Sequence, residues 1–98
     1  MAASETPTTI SSEKTVTTSG TEVALATTQR VKTVTIRAKV GNTGNIYVGG
    51  VGVATTTNDG LAPGDALTIT AKNWLDLADI YIDADTNGEG VDFYALKA

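Results

Sequence analysis

No cysteine and no histidine occurs among the 98 residues, and there are only two prolines, one phenylalanine and one tryptophan. The missing thiols exclude a disulfide scaffold, a thiolate metal site and a cysteine nucleophile. The missing imidazole excludes every histidine-dependent triad. No apolar run approaches the roughly 20 residues that a membrane-spanning helix needs. The start, Met1-Ala2-Ala3-Ser4-Glu5-Thr6-Pro7, has neither the basic nor the apolar region of a signal peptide, so a soluble product not exported by that route is expected. The length predicts one domain with a small core, since a chain of this size hides only about 60–65% of its extended surface on folding.

What is abundant is threonine, 18 of 98 residues, together with ten glycines. Threonine is β-branched and stiff at χ1, which suits a pleated, half-buried surface better than a helix. No continuous block of helix formers competes with it. The net charge of −4 is unevenly placed: residues 1–58 hold five basic and three acidic groups, +2, and residues 59–98 hold two and eight, −6. Such a chain is a poor partner for a phosphate backbone, so no nucleic acid is expected, nor any membrane. The asymmetry reads either as a solvated acidic face or as unlike surfaces for head-to-tail or lattice contact.

Residues 1–12 form a polar Thr/Ser stretch with one apolar residue, Ile10, and Pro7 argues against a simple central strand. They are expected to be an extended N-terminal arm, with residues 13–98 as the folded domain. Lys14–Thr18 and Glu22–Ala26 flank Ser19-Gly20-Thr21, a hairpin-like punctuation. Val31–Val40 is the strongest strand, with Val34, Ile36 and Ala38 on one face and Thr33, Thr35, Arg37 and Lys39 on the other. Turn residues 41–45 lead to a short strand at Ile46–Val48, a glycine corner at 49–52 and a possible strand at Val53–Thr57. Ala62-Pro63-Gly64-Asp65 has the form of a type II turn. Leu67, Ile69 and Ala71 then alternate with Thr68 and Thr70. Asn73–Leu77 is too short for a stable helix and reads as a single turn or loop. Ile80 and Ile82 precede a polar loop at Asp83–Gly90, and Val91, Phe93 and Ala95 close the pattern opposite Tyr94 and Leu96. About seven to eight short strands predict an all-β fold, an antiparallel β-sandwich or jelly-roll-like small barrel.

Candidate chemistry is sparse. Asp83, Asp85, Asn87 and Gly88 match the opening of an EF-hand calcium loop, with Glu89 beside them. The twelfth position is Tyr94, so the bidentate carboxylate is missing, and the flanks read as strands. A turn between strands explains the same residues, and no metal or other cofactor is assigned. Gly49-Gly50-Val51-Gly52 lacks the lysine and helix of a phosphate cradle. The four serines have no histidine to activate them, and a paired-carboxylate hydrolase needs a cleft that so small a sandwich lacks, so no catalytic residue is expected. Tyr47, Trp74, Tyr81 and Tyr94 are either packing residues or an exposed patch, and the three tyrosines fall out of step with the apolar residues beside them, which suggests a shared outer face.

The order Val34-Thr35-Ile36-Arg37-Ala38, Asn42-Thr43-Gly44-Asn45-Ile46-Tyr47-Val48-Gly49, Leu61–Ile69, Leu77–Asp83 and Gly88–Phe93 resembles the small β-sandwich virion proteins of tailed bacteriophages, among them capsid decoration (cement) proteins. The resemblance covers about residues 31–96 and carries no catalytic signature. It implies a virion protein on the capsid exterior, made in the reducing cytoplasm of a bacterial host, with the major capsid protein as partner. Trimers at three-fold sites are implied as well, clamping neighbouring capsomers with the arm. Thr8, Thr9, Ile10, Tyr47, Trp74 and Tyr81 are the candidate partner contacts. Two other readings stand beside it: a collar, tail or carbohydrate-binding adhesion module using the Tyr/Trp surface, and a domain stabilised by a metal at Asp83–Glu89.

Overall fold

A computed structural model describes residues 9–98. In chain order the strands are β1 (Thr9–Val16), β2 (Val23–Ala24), β3 (Arg30–Ala38), β4 (Ile46–Gly49), β5 (Ala66–Asp76), β6 (Tyr81–Ala84) and β7 (Glu89–Lys97), with one 3-10 turn at Leu77–Asp79. They form two antiparallel sheets packed as a sandwich. One has the order β1-β7-β3-β5 and the other β2-β6-β4. The expected all-β sandwich is what the chain forms.

The core is the set of side chains that alternation turns inward. Val34, Ile36 and Ala38 of β3, Val91, Phe93 and Ala95 of β7, and Ile46, Ile82 and Ala84 of the smaller sheet are all buried in one cluster. Strand β3 also buries Val31, three residues before Val34. A strict two-residue period would turn one of these valines to solvent. The register of β3 against β7 and β5 shifts between Val31 and Thr33. That irregularity leaves Lys32 as the extra residue and returns Val31 to the core side.

Several local expectations are corrected. The arm was expected to run to residue 12, but Thr9–Ser12 are the first half of β1, paired in the register Thr9↔Leu96 to Ser12↔Phe93. Ile10, isolated in sequence, packs against the core. Residues 1–8, including the rest of the expected arm, lie outside the described residues. The punctuation at Ser19–Thr21 is no hairpin, because β1 pairs with β7 and β2 with β6; the chain crosses there from one sheet to the other. Val53–Thr57 is a turn, closed by the Thr57 amide donating to the Ala54 carbonyl at 3.0 Å and by the Ala54 amide donating to Thr57 Oγ1 at 2.9 Å. Asn73–Asp76, read as a turn or loop, continues β5. It does so past a register break against β3, from Thr33↔Thr70 to Val31↔Leu75. The turn at Ala62–Asp65 is as expected: Gly64 has φ +89°, and the Asp65 amide donates to the Ala62 carbonyl at 2.8 Å.

Gly90 faces Thr15 across the β1–β7 pair. A Cβ there would overlap the Lys14 carbonyl oxygen and lie 2.9 Å from Thr15 Cα, both of them backbone. Its own carbonyl accepts from the Lys39 amide at 3.1 Å and from Asn42 Nδ2 at 2.8 Å. Gly90→Ala therefore pushes β1 off the sheet and is expected to cost at least about 2 kcal/mol, or about 10 °C in melting temperature. Gly41 has open space around its Cβ position and no positive φ, so Gly41→Ala should leave thermal melts nearly unchanged. Equal melting temperatures for the two variants would refute this account of the β1–β7 contact.

Candidate functional site

Three surfaces bear on function: the polar loop after β6, the aromatic side chains, and the outer face of the four-stranded sheet.

The four residues with calcium-loop spacing are sent to different places. Asp83 lies within β6 between Ile82 and Ala84 and is 0% exposed. Its Oδ1 accepts from the Gly20 amide at 3.0 Å and the Ala84 amide at 2.8 Å, while Oδ2 is buried with no hydrogen-bond partner. Asp85 accepts from the Asn45 amide at 3.0 Å and from the Tyr47 hydroxyl at 2.9 and 3.1 Å. Asn87 Oδ1 accepts from the Ser19 amide at 2.7 Å. Glu89 accepts from the Thr43 amide at 2.7 Å, the Thr43 hydroxyl at 2.9 Å and the Gly44 amide at 3.0 Å. No cluster of three or more acidic side chains with metal-binding geometry occurs among the described residues. These oxygens hold loop amides, which is why a spacing that suits a cation loop reads here as a brace between the β1–β2, β3–β4 and β6–β7 connections.

Within the brace, hydrogen bonds favour the charged form of Glu89. The Gly44 and then the Thr43 amide hold the Glu89 carboxyl below its usual range. At the other end of the molecule the Ala78 and Gln29 amides do the same for Asp76, which caps the 3-10 turn. The hydrogen bond from Lys39 lowers Glu13 likewise. Each depressed carboxyl favours the folded state most above the ordinary carboxylate range, and its contribution is lost as pH falls through the lowered value.

The three tyrosines do not share one face: Tyr47 and Tyr81 lie on the side of the three-stranded sheet away from its core row of Ile46, Val48, Ile82 and Ala84, and Tyr94 lies on the other sheet. Tyr47 is 6% exposed, its hydroxyl turned to Asp85, and burial followed by that carboxylate pushes its phenol pKa up. Tyr81 is half-buried. Trp74 is 47% exposed at the irregular stretch of β5, with the Arg30 guanidinium carbon 4.0 Å from its ring centroid. Tyr94, 48% exposed, stands on the outer face of the four-stranded sheet. Of the expected partner contacts, Thr9 and Trp74 are exposed, Ile10 and Tyr47 are packed, Tyr81 is between, and Thr8 lies outside the described residues.

The outer sheet face was underrated in sequence. Opposite the buried rows of β3 and β7 it presents Thr33, Thr35 and Arg37, then Asp92, Tyr94 and Leu96, with Ser11 and Glu13 from β1 and Thr68 and Thr70 from β5. Thr33 and Thr70 share a hydroxyl–hydroxyl bond of 3.1 Å, and Thr35 and Thr68 one of 2.9 Å. Lys39 pairs with Glu13 and, at 3.9 Å, with Asp92, which Arg37 approaches at 3.5 Å. Two cations thus meet two carboxylates, and this cluster is charge-balanced on a chain of net charge −4. The signal available was the threonine alternation in β3, which identifies the wet face but not which hydroxyls pair across strands.

The fold and these surfaces define an all-β sandwich that offers faces and edges for contact. Compared with known proteins, the chain matches no family model, no curated protein and no solved structure. No helix among the described residues is long and apolar enough to cross a membrane.

Two predictions test the brace. Asp83→Ala strands the Gly20 and Ala84 amides in a buried site and should cost about 2–4 kcal/mol in denaturant unfolding. Asp83→Asn keeps one acceptor oxygen and should cost clearly less; an equal loss would show that the acceptor role is not what Asp83 supplies. With no histidine to titrate, the melting temperature should be flat from about pH 6 to 8 and fall below about pH 4. A melting temperature that rises on acidification would contradict the assignment of lowered carboxyls.

Proposed function

We propose that the chain is a virion structural protein of a tailed bacteriophage, a capsid decoration protein that binds the outer face of the major capsid shell and stabilises it by non-catalytic contact. The observation that carries this reading, beside the family resemblance, is the charge-balanced cluster of Glu13, Arg37, Lys39 and Asp92 beside cross-strand threonine pairs on the outer face of the four-stranded sheet. There the charges cancel and the threonine hydroxyls are satisfied among themselves, so covering the face strands few polar groups. Elsewhere Asp76 and Glu89 each accept two backbone amides, which hold their carboxyls below the usual range and support a role in shape and not in proton transfer. Many weak copies on a lattice give strong shell binding through multivalency. The chain's place of synthesis in this reading is the bacterial cytoplasm, and its final place the capsid exterior.

The test is co-sedimentation of the chain with undecorated, expanded heads of the phage that encodes it. Saturable binding and a higher temperature of head rupture are expected. A chain that stays in the supernatant at all concentrations would overturn the reading. A truncation lacking residues 1–8 should keep the far-UV spectrum and lose at least about tenfold in apparent affinity. The cut is placed before Thr9 because β1 begins there. Undiminished binding would remove that segment from the mechanism.

A further inference from the structure

Of the asparagines in the chain, Asn87 alone is followed by glycine. A glycine amide has no side chain to shield it, so in Asn-Gly the main-chain nitrogen reaches the asparagine side-chain carbon most readily. The pair sits in the exposed turn between β6 and β7, with Gly88 at φ +83° and open space around its Cβ position. Both reacting groups are held in place there. The Gly88 amide donates to the Val16 carbonyl at 2.8 Å, and Val16 is fully buried. Asn87 Oδ1 accepts from the Ser19 amide at 2.7 Å. These two bonds tie the turn to the residue that ends β1 and to the connection that follows it.

We propose that Asn87 is a self-modification site, and that its chemistry waits on the opening of this corner. Hydroxide takes the proton of the Gly88 amide, and the nitrogen attacks Asn87 Cγ. The new C–N bond closes a cyclic imide. The side-chain nitrogen leaves as ammonia, taking its proton from water and so restoring the hydroxide. Water then opens the ring at one of two bonds. Hydrolysis between Cγ and the Gly88 nitrogen gives aspartate. Hydrolysis between the Asn87 main-chain carbonyl carbon and that nitrogen gives isoaspartate, in which the backbone runs through the side chain and is one methylene longer. The net reaction consumes one water and releases one ammonia, with no cofactor.

The Ser19 amide already points at the oxygen on which negative charge develops during attack, so the electrophile is not what the fold withholds. The fold withholds the nucleophile, because the Gly88 proton is bound to a buried carbonyl. Removing that proton is also the step that amide hydrogen exchange follows, so both reactions need the same local separation of the β6–β7 turn from the end of β1. The two products differ in what they leave behind. Aspartate keeps an acceptor for the Ser19 amide. Isoaspartate shifts the chain just before Glu89, which takes the Thr43 and Gly44 amides, and Gly90, which leaves room for the Lys14 carbonyl. Conversion to isoaspartate therefore loosens the brace for good. This inference does not rest on the proposed role at the capsid.

The experiment incubates the full chain in mildly alkaline buffer, folded and in guanidinium chloride. Mass spectrometry reads the exchange of a side-chain NH2 for OH, and chromatography separates the two products within the tryptic peptide 73–97. Hydrogen exchange at the Gly88 amide is followed under the same native conditions. In denaturant, Asn87 is expected to convert before any other asparagine. In the folded chain its conversion should be at least about tenfold slower, by a factor matching the exchange protection of Gly88 to within about threefold. Asn87→Gln, whose longer side chain closes a ring far less readily, should show no conversion at that position. The isolated isoaspartate form should melt below both the native chain and Asn87→Asp, which carries the charge without the extra methylene. Equal rates in the folded and unfolded chain, a folded rate unrelated to Gly88 protection, or earlier conversion at another asparagine overturns the proposal. An isoaspartate form that melts with the native chain overturns the loosening of the brace.

Discussion

The structure depends on side-chain oxygens that take backbone amides where the chain leaves its sheets. A short sandwich buries little apolar surface, so its connections cannot be left to fray. Asp83 ties the β1–β2 crossing to β6, Asp85 and Glu89 tie the β3–β4 turn to the β6–β7 turn, and Asn42 clasps Gly90. At the far end Asp76 takes the amides of Gln29 and Ala78. Each of these bonds joins residues distant in sequence, apart from the local caps at Ala84 and Ala78. Their common effect is to let two sheets of unequal length share one core without a disulfide.

The same constraint explains what the acidic half of the chain is for. Eight of the eleven carboxylates follow residue 58, and read as charge alone they suggest an acidic face. In place they are mostly acceptors: Asp76, Asp83, Asp85 and Glu89 point to amides, and Asp92 to Arg37 and Lys39. A carboxylate that accepts two amide hydrogens is worth more as a fastener than as a free charge in solvent. Net charge therefore describes the composition of this chain better than the field at any one of its surfaces.

Much of the fold was legible because alternation is a backbone property. Val34, Ile36 and Ala38 against Thr33, Thr35 and Arg37 determine a half-buried strand whatever its neighbours are. Most of the misses have one cause, which is pairing at long range; the turn at Val53–Thr57 is the local exception. Nothing local shows that β1 lies against β7, so Thr9–Ser12 look like an arm and Ser19–Thr21 like a hairpin. Val53–Thr57, a run rich in β-branched residues, closes on itself through Thr57 three residues after Ala54, a local bond that competes with the strand its composition suggests. Trp74 was readable as either a packing or an exposed residue, and the arginine that stacks on it lies 44 positions earlier. The Asp83–Glu89 spacing was legible and ambiguous. Only the positions of Gly20, Asn45 and Gly44 turn it from a cation loop into a brace.

Threonine links composition to surface. On an isolated strand its hydroxyl would hydrogen-bond to water and make the face polar. Here Thr33 with Thr70 and Thr35 with Thr68 satisfy one another across β3 and β5, so what faces outward between them is largely methyl. Tyr94 and Leu96 continue that surface on β7, and the Glu13, Asp92, Arg37 and Lys39 group closes it without net charge. A face of this kind stays soluble because its polar atoms remain near the surface, yet it loses few hydrogen bonds to water when covered. Threonine content, cross-strand hydroxyl pairing and a charge-balanced cluster are therefore one property of this face seen at three levels.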